Sequence, residues 1–365
     1  MLSKSGPRRC KKDGVSPNVR RKMLNVLPFF WRPKDAVSSL ADLPISGQSA
    51  RINDVSVSIA GQAAGKHPLL VMELTGGKII GDLRLAATEN DIVIGGLQAL
   101  FSCEKPAGHY LLKRRRFRLP RHHAGTALLL GASNSDNYYH WLIDSLPRWK
   151  LLQAAGWRDY DFVLLHSQPR AFQEETLDWL GVPAAKRLRC SKNFIHQFDQ
   201  LVVPAMPFPP EEVSPWACAW LRSLLPVKPD GPEKIFLSRR GAGRRQLVNE
   251  AELQTALAAQ GFVSIQPETL SVAEQAHFLS AARCVVAPHG AGLTNLVFSP
   301  PGAFLLELFH PQHKNHCYKN IAQAAGHRYA SLDGQAIPHA DAGRLDYSVD
   351  IPAVLQLIEQ NSRGE

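Results

Sequence analysis

The chain has 365 residues, 45% of them apolar and 20% charged. That balance excludes a low-complexity or wholly disordered protein, no repeat of fixed period is visible, and the length suits two α/β domains. The formal charge of +10 is a nucleic-acid signal only until it is located: residues 1–35 hold ten Lys/Arg against Asp13 and Asp35, a net of +8, so the rest of the chain carries +2.

The basic N-terminal stretch, rich in Pro and Gly, reads as a solvated tail over residues 1–45. Its alternative role is attachment to an anionic membrane surface, because Val26-Leu27-Pro28-Phe29-Phe30-Trp31 is flanked by Arg20-Arg21-Lys22 and Arg32. Six apolar residues are too few to span a bilayer, though they can dip into its interface. No secretory signal pattern or transmembrane run is expected. Cys10, Cys103, Cys190, Cys218, Cys284 and Cys317 form no CxxC pair and no tight Cys/His cluster. The expectation is therefore no zinc site, no disulfide framework and a reducing cytoplasm.

From about 51 to 100 the sequence reads as short strands and turns: Val55 to Ile59 alternates, Gly76-Gly77 turns, and Ile92-Val93-Ile94 precedes Gly95-Gly96. This is a β-rich N-terminal region. Lys113 to Arg116, with Arg118 and Arg121, suits either an anionic acceptor or a solvated face. No nucleic-acid-binding motif accompanies it, and no nucleic-acid partner is expected. Thr126 to Leu130 predicts a buried strand, followed by a polar loop to Asn137 and a helix from Tyr139 to Ala155 that Pro147 should kink or restart. Strands at 162–165 and 201–203 enclose a helix at 172–180.

Pro226, Pro229, Gly231 and Pro232 mark a linker over 226–232, dividing a domain at 46–225 from one at 233–365. Beyond it, strands at 235–238, 262–265, 284–287 and 303–308 alternate with helices at 250–260, 271–282 and near Leu293, which predicts a parallel doubly wound sheet. A closing helix is expected at 351–358.

Three segments carry candidate chemistry. In Pro288-His289-Gly290-Ala291-Gly292-Leu293-Thr294-Asn295, a strand runs into a Gly-rich turn and then a helix, a geometry that offers backbone N–H groups to a diphosphate. A tight connection with purely packing glycines has the same spacing; His289, Thr294 and Asn295 add polar groups that such a connection does not need. Ser238-Arg239-Arg240-Gly241-Ala242-Gly243-Arg244-Arg245 follows the first strand of the second domain, where guanidinium groups of Arg239 or Arg240 can bind the phosphate oxygens of a diphosphate or simply form a solvated basic loop. Asn249 is placed to cap the next helix. In the first domain His140 and Asp144 stand at i, i+4: the His can serve as general base with the Asp orienting it, or the two can be a satisfied surface pair. Asp159-Tyr160-Asp161 matches a short metal-binding pattern, but a solvated turn explains it more simply, and no metal is assigned.

Taken in order, Asn137-x-x-His140-x-x-x-Asp144-x-Leu146-Pro147-Arg148, then Ser238-Arg239-Arg240 with Arg245 and Asn249-Glu250, then Pro288 to Asn295 and Glu307, resemble glycosyltransferase family 61. The resemblance spans about 125–310. It implies a GT-B-like α/β fold of two Rossmann-like domains, and an inverting glycosyltransferase that moves a sugar from a nucleotide-sugar donor to a glycan or polysaccharide acceptor without a cofactor. It also implies His140 as base and Asp144 as its orienting group. Arg239, Arg240, Arg245 and the turn of His289, Gly290, Ala291, Gly292, Thr294 and Asn295 would hold the donor, with Glu307 accepting from the ribose. A chain without a signal anchor fits a cytoplasmic, peripheral-membrane enzyme of surface-polysaccharide biosynthesis at the inner membrane face. The alternative is a non-catalytic nucleotide- or glycan-binding regulatory protein on the same fold.

Overall fold

The computed structural model describes residues 36–37, 49–52, 55–62, 68–83, 85–91, 93–94, 119–132, 134–205, 212–225, 228–241, 243–338 and 344–362. The basic tail over 1–35, the apolar run at 26–31 and the basic run at 113–118 lie outside these residues.

The first sheet has eleven strands. They are β1 (Ala36–Val37), β2 (Ser49–Ile52), β3 (Val55–Gln62), β4 (Pro68–Thr75), β5 (Lys78–Ile80), β6 (Leu85–Ala87), β7 (Val93–Ile94), β8 (Arg121–Leu128), β9 (Phe162–His166), β10 (Arg187–Cys190) and β11 (Ile195–Pro204). β11 is the spine. It runs parallel to β8, which continues through β9 to β10, and antiparallel to β4 and β5 on its other side. The β-rich N-terminal region is thus part of the same sheet as the strands that alternate with helices, and the sheet is mixed. Gly76-Gly77 lets β4 pass into β5 along one neighbour: Gly76 has φ +61, and a Cβ on Gly77 would stand 2.6 Å from that of Leu201. Gly125, at φ +107, marks the β8–β11 irregularity, where its N–H donates to Asp199 Oδ2 at 2.8 Å.

The second sheet is fully parallel, in the order β13-β12-β14-β15-β16, from β12 (Lys234–Leu237), β13 (Val263–Ile265), β14 (Cys284–Pro288), β15 (Phe304–Phe309) and β16 (Arg328–Asp333). In chain order this is 2-1-3-4-5, so the strand order reverses between β12 and β14. Ligands of doubly wound sheets bind in the crevice that opens at such a reversal, beyond the carboxyl ends of the strands.

Period-two alternation explains how the two sheets share a core. In the first sheet Val71, Leu128, Val163, Leu165 and Val202 face one cluster, while Leu70, Met72, Ala127, Leu164, Leu201 and Val203 face another. In the second, Ile235, Leu237, Val285, Ala287 and Leu305 join the first of these clusters, whereas Phe236, Val286, Phe304 and Leu306 turn away to a third. One apolar cluster therefore runs between both sheets. It takes in helices α1 (Arg148–Ala154), α2 (Ala171–Trp179), α3 (Pro215–Leu224), α5 (Val272–Leu279) and α6 (Cys317–Ala324), while α4 (Glu250–Ala258) and α7 (Ile351–Ser362) cover the far face of the second sheet. No helix among the described residues is long and apolar enough to cross a membrane.

Pro147 ends one helical segment and begins another, as its missing N–H requires. Asn249 does not cap α4: its side chain donates to Val349 O at 2.8 Å and accepts from Val349 N at 3.1 Å, which ties the C-terminal segment to the start of the helix. Among the described residues no group of three His, Cys, Asp or Glu side chains is arranged to hold a metal ion. Asp161 instead accepts from Thr126 N at 2.8 Å.

His196, buried on β11, contacts His123 through its Nδ1 at 3.0 Å, and its Nε2 accepts from Ser191 N at 3.3 Å. That pattern suits the neutral ring, and burial pushes His196 down to about 4. His327, buried and donating to Leu296 O, is likewise pushed down to about 4. Both take a proton more readily when unfolded, so stability is fully present above pH 6.5 and declines as pH falls toward 4, by about 2 kcal/mol for each histidine. Urea midpoints measured from pH 7.5 to 4.5 should fall accordingly, and His196→Gln should flatten that slope while lowering stability at pH 7.5.

Candidate functional site

The carboxyl ends of β12 and β14 open into a cavity of about 590 Å³ at the seam between the two sheets. The first part of the chain contributes Tyr138, Arg170, Phe172 and Glu175; the second contributes Ser238, Arg239, Pro267, Glu268, Gly290, Ala291 and Gly292 among others. Its size and mixture of apolar wall with a few polar groups are those of a small-molecule site.

Among the described residues, three side chains of the first part of the chain hydrogen-bond across the seam. Tyr138 Oη donates to Asn295 Oδ1 at 2.6 Å, its phenol kept neutral by burial and then by nearby Glu175. Glu175 accepts from Val272 N and Ala273 N, both at 2.8 Å, and so caps α5 from the other part of the chain. Arg222 Nε donates to Val297 O at 3.0 Å.

Two histidine–carboxylate pairs stand near this seam. His140 Nδ1 lies 2.7 Å from Asp144 Oδ2, with the side chains 21% and 13% exposed. They sit on a π-helical turn, His140–Ser145, closed by Leu146 N donating to Trp141 O at 2.8 Å. The wide turn brings i and i+4 side chains onto one face, and such turns recur at functional sites. Arg148, fully buried and pushed down to about 10 by burial, donates from Nε to Asp144 O at 3.0 Å and so fixes the backbone of the pair. The second pair is His289 Nδ1 with Glu307 Oε1 at 2.6 Å; Tyr329 Oη donates to the other oxygen, Oε2, at 2.8 Å. Aromatic edges link the pairs: Tyr139 lies against both His140 and Tyr318, and Tyr318 against His289.

Arg239 joins the cavity to this second pair. It lines the cavity, and its Nη1 donates to His289 O at 2.9 Å. A Cβ on Gly290 would come within 2.8 Å of both Cδ and Nε of Arg239, so the backbone there, though extended, leaves no room for a side chain. Arg245 is close behind: its guanidinium is pulled down first by burial and next by Arg239. Together they form a half-buried positive patch of the kind that anions occupy.

Residues 138–306 match the family model described as Glycosyltransferase 61. The matched segment, just under half of the chain, is similar to glycosyltransferase family 61. Two curated relatives carry the name EGF domain-specific O-linked N-acetylglucosamine transferase. The chain is 31% identical to the one from Drosophila melanogaster over 155 residues, covering 38% of this chain and 29% of the relative. It is 28% identical to the one from Gallus gallus over 105 residues, covering 27% of this chain and 19% of the relative. The matches thus span less than a third of either relative's length.

The family 61 segment contains both His140 and His289 and ends one residue before Glu307. Of the residues expected to hold a donor, Arg239, Gly290, Ala291 and Gly292 line the cavity. Arg240 is exposed and turns to Gln254 Oε1 on α4 at 3.2 Å. Thr294 and Asn295 are fully buried beneath the turn, which is a 3-10 helix over Ala291–Phe298. Asn295 joins Tyr138 and Gln275, and Thr294 Oγ1 has no hydrogen-bond partner among the described residues. Glu307 is 0% exposed with both oxygens taken by His289 and Tyr329, so it orients His289 and has no carboxylate face for a ribose. Sequence reasoning missed Glu175 and Phe172 on α2, and Gln275 on α5. Their periodicity signals only a helix; the pairing across the seam comes from tertiary packing.

Glu175→Ala removes two hydrogen bonds and a carboxylate from the start of α5, at a cost of about 1–2 kcal/mol. Chemical denaturation should register that loss, whereas Lys150→Ala at an exposed position on α1 should cost less than half as much.

Proposed function

We propose that the protein is an inverting glycosyltransferase that binds a nucleotide sugar at the seam and transfers the sugar to a glycan acceptor. The observation that carries this reading is the position of Arg239: one side chain lines the cavity, packs on Gly290 of the family 61 segment, and adjoins Arg245. In the reaction, the acceptor hydroxyl attacks the anomeric carbon as the bond to the diphosphate breaks. His140 Nδ1–H donates to Asp144, Nε2 takes the hydroxyl proton, and Asp144 stabilises the resulting imidazolium. Arg239 and Arg245 neutralise the departing diphosphate. A site built this way favours developing charge on both the attacking and leaving sides.

On this reading the two sheets correspond to the paired domains of a GT-B fold, with 46–225 on the acceptor side and 233–365 on the donor side. The relatives' names make nucleotide-linked N-acetylglucosamine the first donor to test. A surface polysaccharide is our proposed acceptor, with the enzyme acting on the cytoplasmic side.

Purified protein incubated with nucleotide-linked N-acetylglucosamine and other nucleotide sugars, each with polysaccharide fragments or an EGF domain as acceptor, should release nucleoside diphosphate and give product of inverted anomeric configuration. His140→Ala should lower kcat at least about 100-fold with little change in donor affinity. Arg239→Ala should weaken donor binding about tenfold or more. Full turnover by His140→Ala would remove it as the base, and donor binding without transfer to any acceptor would favour a binding protein over an enzyme.

A further inference from the structure

The loop after β15 brings His313 against His289, whose carbonyl oxygen accepts from Arg239 Nη1 at 2.9 Å. Its ring centroid is 5.5 Å from that of His289 in an edge-on contact, and the ring is half-buried. The groups that act on it come from every neighbouring element: Arg239 and Arg245 beyond β12, His289 at the end of β14, and His310 on its own loop. The acidic groups nearby are already committed. Glu307 is held by His289 and Tyr329, Asp346 by Arg344 and Gln246 N, and Asp333 by Lys314. Tyr318, which also packs on His289, is kept a neutral phenol chiefly by burial.

We propose that His313 is a third diphosphate-binding side chain, neutral in the free protein and protonated when the diphosphate enters between it, Arg239 and Arg245. This rests on the reading of Arg239 and Arg245 as the diphosphate site. The physical cause is the sign of the surroundings. Without an anion, a charged His313 would meet burial and then four basic neighbours, all of which hold its proton affinity below the ordinary value of 6.5. An arriving diphosphate reverses the field at the ring, so the proton-bearing form becomes the favoured one. Binding and proton uptake are then linked, and diphosphate affinity rises as pH falls. The leaving group would thus be met by two permanent charges and one that appears only when needed.

Calorimetric titration of the full chain with inorganic pyrophosphate at pH 7.0, in Tris and in HEPES, tests this directly. The heat should differ between buffers in the sense of proton uptake. His313→Asn should take up at least about half a proton less than the native chain and bind about five- to tenfold more weakly. His313→Lys, charged throughout, should bind at least as tightly as the native chain with the same loss of uptake. Equal uptake in all three proteins, or undiminished binding by His313→Asn, overturns the proposal. If Arg239→Ala weakens pyrophosphate binding while both His313 variants behave like the native chain, the diphosphate site stands and the role of His313 falls. Absence of pyrophosphate binding to the native chain overturns both.

Discussion

A single buried amide, Asn295, holds the parts of the site in register. Its oxygen accepts from Tyr138 of the first part of the chain, while its nitrogen donates to Gln275 on α5 and to Gly292 O in the Gly-rich turn. A buried amide left with unmade bonds costs more than the bonds contribute when made, so all three partners are fixed together. The turn carries Gly290 against Arg239, α5 forms the cavity wall, and Tyr138 is two residues before His140. The candidate base and the phosphate patch therefore have a common mechanical reference.

That reference matters because the two sheets do not meet edge to edge. They present alternate residues of their strands to one apolar cluster, so the seam is the surface of a continuous core. A cavity in such a place can bring groups from distant sequence positions to one ligand without a large hinge. The reversal of strand order between β12 and β14 then determines which loops reach it. Both loops belong to the family 61 segment, and the His313 loop follows the next strand.

Much of the second sheet was legible from the chain alone, because short β-branched and aromatic runs ended by Gly or Pro alternate with amphipathic helices. The expected strand over 284–287 and the turn after it fall where the structure has them. The mixed first sheet was not: nothing in Val55 to Ile59 shows that it will lie two strands from Leu201, since that pairing is non-local. Residue type also said little about direction. Arg239 and Arg240 are adjacent and identical, yet one lines the cavity and the other faces solvent. Asn249 had the sequence position of a helix cap and serves instead as a clamp on Val349, because the C-terminal segment returns beside it. Glu307 lies in an apolar strand, and the pattern carries no sign that His289 and Tyr329 will take both of its oxygens. His313 carried no signal, since its meaning depends on charges brought in by two other loops.

The central claim is that the seam is where the donor's diphosphate sits. A crystal structure of the protein with a bound nucleoside diphosphate is the most direct measurement. The account predicts phosphate oxygens among Arg239, Arg245 and His313, with the nucleoside in the cavity bounded by Phe172, Pro267 and Gly290. Density for the nucleotide away from the seam, with Arg239 still packed on Gly290 and the cavity empty, would contradict it.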